Sequence, residues 1–340
     1  MFFRWDMKYK SRFIILPIFF IFVFIVVSCG RNLNLSPQKV TLPPRLYVVN
    51  SGSKSLSIID TETNTVESSL SLGGTPWDIA LSLDGKRAYI TLPGMWMVEE
   101  VNIVSNMGIK YFDAGVGAAG IVLSPNGKLA YTADYHSSSI SIIDLEADKT
   151  SSIEAVYTPI YIVRNNDGTR LFVTNVTQNS VSIIDTEAKR EIATISCGAS
   201  PYGIEFCPTN DKIYVVNFAS NGITIINAST NTIETTVALS SGSKPNDIAI
   251  SPDGKYAYVA NNGSNSVSVI DLTNNNEIKS ITVGTKPFAI ICSPDGNKVY
   301  VTNDGSNTVS IINTETLTME ASIDVGTAPR GLAYRARTEN

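Results

Sequence analysis

Apolar residues in this chain fall into short, sharply punctuated runs and not onto helical faces. From about residue 46 onward, stretches of six or seven residues rich in Val, Ile, Tyr and Thr alternate with clusters of Pro, Asp, Asn, Gly and Ser. β-Branched and aromatic runs bounded by turn residues predict strands joined by tight hairpins. One unit shows the order. Residues 286–293 form an apolar strand, 294–297 (Pro-Asp-Gly-Asn) a tight turn, 298–303 a second strand and 304–307 a loop. Residues 308–313 make a third strand, 314–316 a turn and 318–325 a fourth. In such turns Pro presets φ, Asp bonds its own backbone and Gly supplies the left-handed position.

The second strand of the unit carries a phrase that recurs. Tyr47-Val48-Val49-Asn50 returns at Tyr89, Tyr131, Phe172, Tyr214, Tyr258 and Tyr300, with spacings of 42, 42, 41, 42, 44 and 42 residues. A period of this size filled with short strands predicts a circular or stacked array, and four antiparallel strands per period make one blade of a propeller. The chain ends predict closure. The first copy begins at its second strand, 46–50, and the last stops after a first strand, 328–334. First strands begin near Pro76, Ala118, Pro159, Pro201, Pro245, Pro287 and Pro329. The expected fold is therefore all-β: a seven-bladed β-propeller over residues 46–336 with four-stranded antiparallel blades, the C-terminal first strand completing the N-terminal blade. Residues 337–340 are left as a tail.

The copies Tyr-Val-Thr-Asn, Ser-Asn-Thr-Val-Ser-Ile-Ile and Pro-x-x-Ile-Ala-x-Ser-Pro-Asp-Gly resemble the YVTN-repeat β-propellers over residues 46–335. That resemblance implies a seven-bladed ring, usually exported or at the cell surface, with binding-type roles and no transferable catalytic set. The Gly-His and Trp-Asp signatures of WD40 propellers do not recur here, which disfavours that class.

Charge and the N-terminal segment add an address. The formal net charge is −5; the first 28 residues carry Arg4, Lys8, Lys10 and Arg12 against Asp6, so the remainder is more acidic still, at −8. An acidic body argues against capture of nucleic acid through phosphate neutralisation. Residues 13–27 are apolar apart from Pro17. The run is shorter than the roughly 20 residues of a spanning helix, and with its basic flank it reads as an export signal, 1–28. Val26-Val27-Ser28-Cys29-Gly30 resembles the lipobox of bacterial lipoproteins, with Val where Leu is usual. It implies acylation of Cys29 and a lipid-anchored, envelope-facing protein, with 29–45 as a Pro-bearing tether. Cys197, Cys207 and Cys292 fall at distant repeat positions and read as buried thiols.

Chemistry is sparse in this pattern. His136 is the one histidine, in a Ser-rich loop, so any Ser-His-Asp or Cys-His system would depend on it. No ligand spacing predicts a metal site, and no motif predicts a cofactor. Asp60, Asp144, Asp185 and Asp271 end the third strand where other copies have Asn102, Asn227 and Asn313. The exchange of Asp for Asn points to turn bonding. Departures from the repeat are the better candidates. After the entering Pro the copies read Trp77, Ala119, Ile160, Tyr202, Asn246, Phe288 and Arg330, and the second copy replaces a small polar loop with Pro93-Gly94-Met95-Trp96-Met97. Trp77, Met95, Trp96, Met97, Tyr202, Asn246, Phe288 and Arg330 are the expected ligand or partner residues, with Trp77 and Trp96 flanking one region. The functional expectation is a monomeric, non-catalytic binding module for a protein, small molecule or glycan. An enzyme on the same fold, such as a lactonase-like hydrolase, is the alternative.

Overall fold

The computed structural model describes residues 41–154, 157–240 and 242–339. The export segment, Cys29 and the tether up to residue 40 lie outside the described residues. Seven four-stranded antiparallel sheets follow one another. Blade 1 joins Arg45–Asn50, Ser55–Asp60 and Thr65–Ser71 to the C-terminal strand Pro329–Arg335. Blades 2 to 7 span 79–113, 118–154, 159–196, 201–238, 245–282 and 287–324. The first strand of each packs against the first strand of the next, so these innermost strands surround the ring axis.

The repeated phrase can be read residue by residue. Its Tyr is buried between blades, as at Tyr47, Tyr214, Tyr258 and Tyr300. Its Thr ties blades together. Thr302 Oγ1 donates to the Arg330 carbonyl of the next blade at 2.9 Å and accepts from its own innermost strand at Ala289 N, 3.0 Å. Thr91 and Thr174 reach Ala119 O and Tyr202 O in the same manner. Its Asn is buried and donates Nδ2 to the third-strand hydroxyl seven residues on, as Asn175 does to Ser182 at 2.8 Å. The Asp or Asn ending the third strand accepts two backbone N–H groups of the following turn; Asp60 Oδ1 takes those of Glu62 and Thr63 at 2.8 and 3.0 Å. These polar residues are framework, because each satisfies backbone or hydroxyl groups that burial would otherwise leave costly.

Closure runs through blade 1, where Tyr47 pairs with Ala333 and Val48 with Leu332. The ends hold more structure than a free tether and a loose tail. Thr41–Leu42 pairs with Thr338–Glu339 as a separate two-stranded sheet, and Arg335 donates to Pro43 O and Gly85 O. The three described cysteines are free, with Cys207 buried and Cys197 and Cys292 half-buried. Burial pushes the Cys197 thiol up to about 12 and the Cys292 thiol upward as well, which keeps both protonated and unreactive.

Candidate functional site

Most innermost strands carry a register shift just after the entering proline, as between Pro201 and Ile204 and between Pro245 and Asp247. Such a bulge re-aims side chains. Here the first, second and fourth residues after the proline all contribute to the walls of the axial channel. The first position forms a plug. Trp77 and Phe288 meet edge to face at 5.5 Å, and the Arg330 guanidinium lies 4.8 Å from the Trp77 ring and 4.2 Å from that of Phe288. Tyr202 packs with Trp77 and Phe288 in one apolar cluster and meets Tyr161 at 5.5 Å. The channel is thereby divided into two concavities.

The concavity on the side of the Pro-Asp-Gly turns has a volume of about 310 Å³ and is lined by Asp78, Tyr161, Glu205 and Asp247 against aliphatic side chains. Asp78 and Asp247 sit at the second position after the proline. Each ties its blade to the next: Asp78 Oδ2 accepts from Ile121 N at 3.1 Å, and Asp247 Oδ2 from Ile290 N at 3.0 Å. Glycine on the preceding blade makes room for them. A Cβ on Gly203 would stand 2.5 Å from Asp247 Oδ1, and one on Gly331 2.6 Å from Asp78 Oδ1. Glu205 occupies the fourth position, and its carboxyl has no protein hydrogen-bond partner among the described residues.

Burial governs the electrostatics of this cavity. Desolvation pushes Glu205 up to about 8, reinforced by the negative charge of Asp247. Asp247 is raised by desolvation to about 7, against the lowering effect of its N–H bonds, with Asp78 adding to the rise. Asp78, with two backbone N–H bonds and the same burial, rises to about 6. The Tyr161 phenol is pushed well above its ordinary value by burial and the nearby carboxylates, so it stays protonated. The cavity therefore brings together carboxyls raised toward neutral pH, with Glu205 raised furthest, and a protonated phenol. Groups of three or more His, Cys, Asp or Glu placed to hold a metal ion are absent among the described residues.

The opposite concavity lies on the face of the entering loops and consists of two adjoining cavities of about 340 and 450 Å³ that share Val176 and Tyr202. Trp77 and His136 line the first; Asn246, Phe288 and Arg330 line the second. Five of the residues expected from sequence thus come together here: Trp77, Tyr202, Asn246, Phe288 and Arg330. Asn246 is buried and donates to Phe288 O at 2.7 Å, and Arg330 pairs with Asp304 at 3.0 Å, so both also serve the framework. The loop of blade 2 stands apart. Met95 packs over Gly74, where an added Cβ would lie 2.6 Å from its sulfur, and Met97 begins a strand. Trp96 is 55% exposed and lines neither concavity. Its left-handed backbone (φ 60°) closes a turn whose Pro93, not Trp96, reaches the cavity beside Trp77. Trp77 and Trp96 accordingly do not line one cavity.

The acidic cavity escaped the sequence analysis although a signal was present. The fourth position reads Ala80, Val122, Val163, Glu205, Ala249, Ile291 and Ala333. One carboxyl among six aliphatic residues in a buried strand is a costly departure. The second position reads Asp78, Gly120, Tyr161, Gly203, Asp247, Ala289 and Gly331, with small residues beside each polar one. Attention to the first position alone hid both rings.

Residues 193–327 match the model of a family described as lactonase, 7-bladed beta-propeller. The match covers fewer than half of the 340 residues and includes Glu205 and Asp247. No curated protein matches the chain. Hydrazine synthase of Kuenenia stuttgartiensis superposes with a TM-score of 0.73 at 23% identity, covering 79% of this chain and 92% of its own. Proteins of Bacteroides uniformis and Bacteroides fragilis, each provisionally called a 6-phosphogluconolactonase, superpose with TM-scores of 0.73 and 0.72. Both are 17% identical, cover 86% of this chain, and are themselves covered over 100% and 98% of their length. Likeness at such identities carries the fold. The lactonase match and the names of the two Bacteroides neighbours overturn the expectation of a non-catalytic binding module and favour the hydrolase alternative. That expectation rested on a single histidine and the sparse chemistry of the repeat, whereas the acids stand at the second and fourth positions after the proline.

Proposed function

We propose that the protein is a hydrolase that opens a cyclic ester, with Glu205 and Asp247 as its acid–base pair. The observation that carries this is the pair itself: two carboxyls facing one cavity, both raised toward neutrality by burial and Glu205 the more strongly. Carboxyls whose environments separate their pKa values are the usual basis of acid and base roles at a single pH. The lactonase match over 193–327 supports the reaction class, since that segment supplies both carboxyls and much of the cavity wall.

The chemistry follows from these states. The Asp247 carboxylate takes a proton from a water molecule as the water oxygen bonds to the lactone carbonyl carbon. The Tyr161 phenol donates a hydrogen bond to the developing oxyanion, which is worth most in a water-poor site. The ring C–O bond then breaks, and Glu205 gives its proton to the departing oxygen. A hydroxy acid leaves, and the proton held on Asp247 passes through solvent to Glu205. A positioned general acid or base contributes about 10²- to 10⁴-fold. Glu205→Gln and Asp247→Asn are each expected to lower kcat on a lactone panel within that range. Full turnover in the double variant, or none by the parent protein, would refute the assignment. The repeat phrase and the lipobox-like segment support an exported YVTN-type propeller anchored through acylated Cys29; palmitate labelling that persists in Cys29→Ala would overturn that part.

A further inference from the structure

We infer that the turn-side cavity takes an uncharged lactone with an aliphatic body, and that it discriminates against phosphorylated or carboxylated lactones. This rests on the hydrolase function proposed above and names the substrate class of that same site. The ionisable carboxyls lining the cavity are all acids: Asp78, Glu205 and Asp247. No Lys, Arg or His lines it among the described residues. Arg330, on the innermost strand of blade 1, is held in the other concavity, stacked on Trp77 and Phe288 and paired with Asp304. Ala249, Ile250, Ile290, Ile291 and Leu332 supply an aliphatic side to the same space, with Cys292 and Ser293 as its further polar neighbours. A phosphate brought here would meet like charge without a partner, whereas a carbonyl and an alkyl ring would meet donors and aliphatic side chains. The volume of about 310 Å³ suits one small ring with a short chain.

The expected discrimination is large. A like charge about 8 Å away at an effective dielectric of about 20 costs roughly a thirtyfold factor per ionised carboxyl. Sugar lactones lie between the extremes, because they carry no charge to be repelled but bring hydroxyls where the aliphatic side chains would cover an alkyl chain. The test compares kcat/KM of the purified propeller for δ-octalactone, D-glucono-δ-lactone and its 6-phosphate at pH 7.5. The expected order is octalactone first, gluconolactone next, and the phosphate at least about 30-fold below the first. The companion variant Ile291→Lys places a cation on the cavity wall and is expected to narrow the gap between phosphorylated and unphosphorylated gluconolactone about tenfold or more. Two results overturn the inference while leaving the hydrolase intact: preference for the phosphate, or an unchanged gap in a folded Ile291→Lys protein. Failure to turn over any of the three lactones sinks the hydrolase function itself, and the substrate class with it.

Discussion

Glu205→Gln is expected to stabilise the protein at alkaline pH while disabling it. The Glu205 carboxyl moves from an ordinary value of 4.5 to about 8 because burial penalises its charge. A group raised in the folded state favours folding below its unfolded value, and that contribution is lost as pH climbs through the folded value. Here the window runs from about 4.5 to about 8. At roughly 1.4 kcal/mol per unit the ceiling is about 5 kcal/mol. The carboxyl is only half-buried by surface area, so channel water, together with coupling to Asp247, reduces the figure to about 2 kcal/mol. For a ring of this size that is a Tm difference of about 4 °C. Thermal unfolding of parent and variant at pH 5 and pH 9 checks it. The variant should gain little at pH 5 and about 4 °C at pH 9, with turnover lost at both. A Tm difference independent of pH would mean that Glu205 is not desolvated in the channel, and the acid role would fall with it.

Further outcomes follow from the same geometry. Gly203→Ala places a Cβ 2.5 Å from Asp247 Oδ1; the displaced carboxylate is expected to lower kcat about 10²-fold with a smaller effect on KM, and unaltered kinetics would show that Asp247 is not the base. Thr302→Val removes the ties to Arg330 O and Ala289 N and should cost about 1–3 kcal/mol in urea unfolding, whereas a loss near zero would show that the inter-blade bond is dispensable. Asp134 stands where five other copies have Asn, and burial raises it to about 6. Asp134→Asn should therefore stabilise the ring by an amount that grows as pH rises from about 4 to about 6 and then levels off, and a benefit confined to pH below about 4 would contradict the sign.

The ring was legible in sequence because it is written seven times. Strand order, the Asx turns and the C-terminal closure all follow from the spacing of Tyr, Thr, Asn and Asp, and repetition averages out the ambiguity of any one copy. The site was less legible because it is written once. Asp78 and Asp247 resemble turn or framework residues until Gly331 and Gly203 are seen to make room for them across a blade boundary. Glu205 was visible as a charge in an apolar strand, yet its consequence depends on which side of the strand meets the axis, and a bulge decides that. The Trp96 loop was legible in composition but not in placement: Met95 lies against Gly74, and Trp96 stands exposed, away from both concavities.

The most direct measurement is the pH dependence of kcat/KM for an uncharged lactone with the parent protein and Glu205→Gln. An ionised Asp247 and a protonated Glu205 predict a bell whose acid limb falls near pH 7 and whose alkaline limb falls near pH 8, because the two groups must be in opposite states. In Glu205→Gln the residual rate should be about 10²- to 10⁴-fold lower and should keep only the acid limb. Turnover that is flat across pH 5 to 9, or a Glu205→Gln protein with parental rates and both limbs intact, would contradict catalysis by the channel carboxyls.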